Sequence, residues 1–176
     1  MKKSIFKPII FKITLFIILA AVVNCFANRA YETSRRLFVI ERSKNANIVC
    51  YDVNLNKDGK INPLKPLYAY WIMRAGNGSK RNLNMFEKKA YGFIIKNIPG
   101  TDNYTLTLAA FNKKQIKILQ KNSQITPIIE INGRQAVLKK IYVKSVEKDI
   151  LPQVLYVEVF GKDLQTKASV YEKINN

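Results

Sequence analysis

The side chains best suited to binding chemistry form a polar cluster between two predicted strands. Arg42, Asn45 and Asn47 supply a cation and two amides within six residues. Loops at the mouth of a β-structure commonly carry ligand-binding residues. The same asparagines favour turns, and Arg42 can pair with a carboxylate such as Glu41 or Glu87. The cluster therefore has a binding interpretation and a structural one.

A second candidate is an aromatic strand that contains Tyr70, Trp71 and Arg74. Alternation along the strand puts Tyr70 and Arg74 on one face and Trp71 on the other. Around a cavity, these residues would supply an apolar wall and a cation for an acidic head group; otherwise the aromatics belong to the core. The predicted ligand-binding residues are Arg42, Asn45, Asn47, Tyr70, Trp71 and Arg74.

Two further motifs are incomplete. The loop from Asn54 has the oxygen spacing of a calcium site, but Lys65 stands where the bidentate glutamate is needed. A Gly-Asn-Gly-Ser-Lys-Arg run at residues 76–81 lacks the glycine spacing of a phosphate-binding loop. We expect a polar turn at the first place and a flexible basic loop at the second, and the sequence predicts neither a metal nor a cofactor.

Composition excludes many enzyme mechanisms. The chain has no histidine, which removes histidine general bases and imidazole metal sites. Its twelve acidic residues show no spacing that forces a catalytic pair. Cys50 lies in a strand-like run without an evident activating base, so we interpret it as a buried apolar residue. No catalytic residue is assigned, and a noncatalytic protein is favoured.

The amino-terminal residues 1–27 have the pattern of a signal peptide, because four lysines precede an uncharged apolar run that ends near Ala27. Cleavage after Ala27 would release a periplasmic or secreted protein. The alternative is lipid attachment at Cys25, which would anchor the protein to the envelope. Residues 28–35 form a short extension, and residues 36–174 form a single β-rich domain.

The charge of the chain is strongly positive. Lys and Arg number 30 against 12 acidic residues, a formal charge of +18, and removing four lysines with residues 1–27 leaves +14. In an exported protein, this charge favours an anionic envelope surface, an acidic protein partner or a small anionic ligand over nucleic acid. A lysine-rich surface also keeps a strand-rich protein soluble.

Apolar residues alternate with period two from Arg36 onward, which predicts nine or ten strands. Asn132-Gly133 predicts a tight hairpin. Asn84 and Glu87 predict the capped start of one short helix. Sequential antiparallel strands suit a barrel-like all-β domain, because closure removes exposed edges, and a two-sheet sandwich is the alternative.

Three segments carry a family resemblance: residues 37–49, Tyr68 to Trp71, and Lys89 to Gly92. They resemble domain of unknown function 4833, a family of exported bacterial proteins, over roughly residues 36–174. The resemblance implies a strand-rich exported domain and supplies no catalytic residues. We therefore expect a noncatalytic module that binds a lipid, another small apolar or anionic ligand, or an envelope component. The alternative is a structural or interaction protein that uses its basic surface.

Overall fold

A computed structural model describes residues 36–146 and 153–175 of the chain. The predicted signal peptide, with Cys25, lies outside these residues. The described part contains eleven strands and one short helix. In chain order they are β1 (Arg36–Arg42), β2 (Asn45–Val53), β3 (Leu67–Ile72), β4 (Lys80–Asn82), α1 (Met85–Tyr91), β5 (Phe93–Asn97), β6 (Tyr104–Leu108), β7 (Phe111–Lys121), β8 (Gln124–Ile131), β9 (Arg134–Val146), β10 (Gln153–Asp163) and β11 (Ser169–Asn175).

Strand β9 organises the sheet, because it pairs with three other strands. Its residues 134–137 pair with β8, and its residues 140–143 pair with β1. Strand β10 pairs with residues 136–146 and therefore occupies the opposite edge of β9. Strands β8 and β1 thus share one edge and lead into two wings. One wing has the order β1-β2-β3-β4, and the other has the order β8-β7-β6-β5.

The sheet curls into a half-barrel whose concave side holds the main core. Phe38, Tyr51 and Trp71 enter this core from the β1–β4 wing, and each is 1% exposed or less. Leu106 and Ile116 enter it from the β5–β8 wing and are completely buried. Phe38 stacks on Tyr51 with ring centroids 4.5 Å apart. Burial of apolar side chains from both wings therefore holds the curled sheet together.

Local sequence explains several of the turns. Asn132 and Gly133 both have positive φ angles, 48° and 74°, as a two-residue hairpin between β8 and β9 requires. Asn84 caps α1, since its side chain accepts from the Glu87 amide while the Glu87 carboxylate accepts from the Asn84 amide. The predicted hairpin and capping box are both confirmed, as is the all-β class with one short helix.

The structure differs from the sequence-based expectations at three places. Strands β1 and β9 pair in parallel, although about a hundred residues separate them. Lys80–Asn82 forms a short strand that the sequence pattern did not reveal. Alternation of apolar residues predicts a strand from Ala90 to Lys96, but Ala90 and Tyr91 belong to the last turn of α1. Within the described ranges, no helix is long and apolar enough to cross a membrane.

Gly161 in β10 lies opposite Leu138 of β9, between the β9 segments that pair with β8 and β1. A Cβ atom there would lie 2.8 Å from the Val137 carbonyl oxygen and 2.9 Å from the Ile131 side chain. We expect Gly161→Ala to lower the free energy of unfolding by about 1–3 kcal/mol, because backbone must move to admit the methyl group. Urea unfolding measures the loss.

Gly76→Ala is the matched control, because a Cβ there meets only the Met73 carbonyl oxygen, at 3.6 Å. Equal stabilities for the two variants would show that the close approach at Gly161 does not constrain the sheet.

Candidate functional site

An apolar groove lies where α1 and the β6–β7 turn face β1 and the β9–β11 strands. Its volume is about 310 Å³, near the lower end of the range for small-molecule pockets. Eleven of the residues that line it present apolar or aromatic surface: Ile40, Ala90, Tyr91, Leu108, Ala110, Phe111, Ile141, Val143, Val154, Val157 and Ile174. Asn112, Lys113 and Asn175 add polar groups. The groove fits an apolar chain better than a polar solute.

Arg42 lies at the border of this groove. It is the parallel register partner of Val143, and its Nη1 atom lies 3.5 Å from the hydroxyl of Tyr91; both neighbours line the groove. The Arg42 guanidinium carbon lies 4.5 Å from the centre of the Trp71 ring. At this distance the cation interacts favourably with the face of the indole ring.

The hydrogen-bonding capacity of this cluster is only partly used. Arg42 Nε is buried and has no hydrogen-bond partner among the described residues. Buried donors normally have a partner, which is protein, ordered water or a ligand. Arg42 therefore offers unused donors beside an apolar groove.

A second arginine lies close to the same tryptophan. The Arg81 guanidinium carbon lies 5.9 Å from the Trp71 ring centre, and Arg81 forms two hydrogen bonds, 2.6 and 3.1 Å long, with Glu87. These bonds hold the pKa of Glu87 below its usual value. Arg42 has no carboxylate partner in the part of the chain that the structure describes. The cluster thus keeps one uncompensated positive charge.

Tyr70 belongs to a different network, on the convex face of the β1–β3 sheet. Its hydroxyl donates to Asp52 Oδ2 at 2.8 Å and accepts from Arg36 Nη2 at 2.7 Å. Arg36 Nε also donates to Asp52 Oδ1 at 3.0 Å. Burial and the Asp52 hydrogen bond raise the pKa of Tyr70. These partners satisfy one another, so the network holds three strands together.

Asn45 and Asn47 lie in the first residues of β2, next to the β1–β2 turn, and Arg74 lies in the β3–β4 turn. Asn45 accepts from the Asn47 amide, and Asn47 accepts from the Ala75 amide, each at 3.0 Å. Arg74 lies beyond the end of β3 in an exposed turn. The structure therefore brings together Arg42 and Trp71 among the six candidates and places Tyr70, Asn45, Asn47 and Arg74 elsewhere.

Cys50 is fully buried beside Tyr70 in a small second apolar cluster. Burial raises the pKa of the Cys50 thiol to about 11, which keeps it protonated at neutral pH. This environment matches the interpretation of Cys50 as an apolar residue. Among the described residues, no group of three or more acidic or cysteine side chains is arranged to hold a metal ion.

Sequence reasoning missed Tyr91 and the β9–β11 residues of the groove. The helix that ends at Tyr91 could be predicted from its capping box, but the strands it faces are at least forty residues away in sequence. Val143, Val157 and Ile174 look like ordinary members of alternating strands. No local signal marks them as groove residues.

Comparison with known families gives one match. The family model for domain of unknown function 4833 matches residues 38–173, most of the chain. The chain belongs to the DUF4833 family. The DUF4833 match covers most of the half-barrel, including Arg42, Trp71 and every groove residue except Ile174 and Asn175. No curated protein and no solved structure matches the chain significantly.

The Arg81–Glu87 pair predicts a specific pH dependence of stability. The pKa of Glu87 is lowered by folding, so its contribution is present above the unfolded pKa of about 4.3 and is lost as pH falls through the folded value. We expect Glu87→Gln, which can still complete the capping box, to lower the urea midpoint at pH 7 but not at pH 3.

Glu158→Gln is the control for this prediction, because it removes one carboxylate from β10 without touching the helix. The same midpoint shift from Glu87→Gln at both pH values would contradict a stabilising charge on Glu87. Salt should reduce the effect, since Arg81 is largely exposed.

Proposed function

We propose that this protein is a noncatalytic binding module for a small amphiphile that has an apolar chain and one anionic group. The observation that carries the proposal is the apolar groove of about 310 Å³ with an unpaired arginine at its border. The groove would bury the chain of the ligand. Arg42 would bind the carboxylate or phosphate.

Two physical arguments support the role of Arg42. A guanidinium that is partly withdrawn from water and has no carboxylate partner gains more from an anion than an exposed lysine does. Its planar donors also match a carboxylate in a two-bond geometry. Trp71 interacts with this cation through its ring face, and the Tyr91 hydroxyl connects the guanidinium to the groove.

The proposal includes export to the cell envelope, where amphiphiles are abundant. Its support is the signal-peptide pattern of residues 1–27, with cleavage after Ala27 or lipid attachment at Cys25 as the two routes. Fractionation of the native host with intact-mass measurement separates the outcomes. Loss of residues 1–27 supports the first route, an acylated Cys25 supports the second, and an uncut cytoplasmic chain contradicts export.

A second candidate function rests on the convex face of the β5–β8 wing. Lys117 and Lys121 of β7 are exposed there, and Lys96 of β5 is exposed on the same wing. Such a surface would hold the protein to anionic envelope lipids. This function would be favoured if the protein binds phosphatidylglycerol vesicles and the binding falls steeply with added salt. Lys117→Glu combined with Lys121→Glu should then abolish the binding.

Binding of dodecanoate and of uncharged dodecanol tests the amphiphile proposal. We expect dodecanoate to bind at least about tenfold more tightly, because a charge-assisted hydrogen bond contributes roughly 1.5–3 kcal/mol. Arg42→Gln should remove this preference and leave dodecanol binding nearly unchanged. Calorimetry at constant ionic strength measures both ligands.

Two variants complete the experiment. Arg74→Gln removes an exposed arginine from the β3–β4 turn and should change neither affinity. Ala90→Trp enlarges an exposed helix residue that lines the groove and should block both ligands. If neither alkyl compound binds, or if Ala90→Trp binds both as well as the unchanged protein does, the groove is not the site.

A further inference from the structure

The half-barrel has an open seam between the two ends of its nine-strand path. One side of the seam is β3 at Leu67–Ala69, because β4 pairs only with Tyr70–Ile72. The other side is β5, which pairs with β6 along its whole length. Within the described ranges, no strand pairs with the outer edge of either segment.

Hydrogen-bond alternation shows which β3 groups face the open seam. The Met73 amide donates to the Ser79 carbonyl, on the β4 side, while the Pro66 carbonyl accepts from Asn54, on the β2 side. Successive residues of a strand direct their backbone groups to alternate edges. Leu67 and Ala69 therefore point their N–H and C=O groups into the seam.

The backbone groups of β5 alternate between its two edges in the same way. The Gly92 carbonyl accepts from the Ala109 amide, and the Ile98 amide donates to the Asn103 carbonyl, so even-numbered residues face β6. Phe93 and Ile95 therefore direct their backbone groups into the open seam. Unpaired backbone groups on two facing edges form a template for an added strand.

The seam also contains a space. Leu67 and Ala69 on one side and Phe93 and Ile94 on the other line one cavity of about 740 Å³. The cavity is the larger neighbour of the apolar groove, with which it shares Leu108 and Asn112. A short extended peptide fits into a space of this size between sheet edges.

Exposed apolar side chains occur on the segments that line the seam cavity. Met85 and Phe86 of α1 are 75% and 78% exposed, and no residue of this helix is buried. Ile94 is 62% exposed, and Leu64, just before β3, is 95% exposed. Of these four side chains, Ile94 lines the cavity, and the other three are each within two residues in sequence of a residue that lines it, which indicates an interaction surface.

The charge at the seam is positive. Lys65 and Lys88 line the cavity, and Lys96 lies on β5. None of the three forms an ion pair among the described residues, whereas the nearby Glu87 is already held by Arg81. A segment with acidic residues complements this arrangement.

We propose that the open seam binds an extended acidic segment of a partner protein, which adds as a β-strand to β3 and β5. Backbone hydrogen bonds to Leu67, Ala69, Phe93 and Ile95 hold the segment. Its apolar side chains cover the core edge and the exposed apolar residues of α1. Its carboxylates face Lys65 and Lys88.

A synthetic peptide tests this directly: Glu-Glu-Thr-Val-Thr-Val-Thr-Val-Glu-Glu with blocked ends, added to the purified full chain. Hydrogen exchange followed by NMR reports each amide. We expect at least about tenfold slower exchange at Ala69, Phe93 and Ile95 when the peptide is bound. Ile94, whose amide already faces β6, should not change, which provides an internal control.

Two altered peptides separate strand addition from other binding. The same peptide with N-methylated valines cannot donate those backbone hydrogen bonds and should bind at least about tenfold more weakly. The peptide with lysines in place of glutamates should also bind at least about tenfold more weakly, because the seam is basic.

Protein variants locate the binding. Lys65→Glu combined with Lys88→Glu should weaken binding of the acidic peptide at least about tenfold, and added salt should reduce this effect. The matched control is Lys139→Glu combined with Lys162→Glu, which makes the same charge change at exposed positions of β9 and β10. This control should change the affinity for the acidic peptide by no more than about twofold. Urea unfolding confirms that each variant is folded.

Several outcomes would overturn the proposal. One is that the acidic peptide does not bind. Another is that the N-methylated peptide binds as tightly as the unmodified one. A third is that the control variant loses as much affinity as the variant with Lys65→Glu and Lys88→Glu. Protection of the seam amides in a dimer without peptide would assign the seam to a second copy of the chain. Protection by phosphatidylglycerol vesicles alone would assign it to the membrane surface.

Discussion

The pairing of β9 with three strands is the constraint on which the rest of the structure depends. Thirteen residues make β9 long enough for β8 and β1 to use different parts of one edge while β10 uses the other. Two strands that leave one edge in this way cannot continue as a single flat sheet. The sheet must therefore divide into two wings, and the apolar face of each wing must be buried against the other.

The two openings of the molecule follow from this division. The apolar groove lies on the side where α1 and the β6–β7 turn approach β9–β11, and Leu108 and Asn112 connect it to the seam. The seam exists because β3 and β4, at the end of one wing, do not pair with β5, at the end of the other wing. A closed barrel would have hidden both edges, whereas the half-barrel leaves them available. Binding at either opening would bury apolar surface that folding alone leaves exposed.

Local patterns predicted the parts of the fold that depend on neighbouring residues. Alternation predicted most strands, Asn132-Gly133 predicted a hairpin, and Asn84 with Glu87 predicted the start of α1. The parallel β1–β9 pair could not be predicted this way, because nothing in either strand specifies a partner a hundred residues away. The candidate site could likewise be predicted only as far as local sequence allows. Arg42 and Trp71 could be chosen by type, but their contact with each other and with Tyr91 depends on the long-range arrangement of the wings.

The excess of basic residues means that Arg42 must be compared with the other cations of the chain. With 30 basic and 12 acidic residues, most cations cannot have a carboxylate partner, so an unpaired lysine at the surface needs no explanation. Partly buried cations differ, because water compensates them less. Arg36 has Asp52, and Lys114 has Glu172. Arg42 has an aromatic ring, a tyrosine hydroxyl at 3.5 Å and a buried nitrogen without a partner. Its charge is therefore the one that a bound anion in the groove would stabilise most.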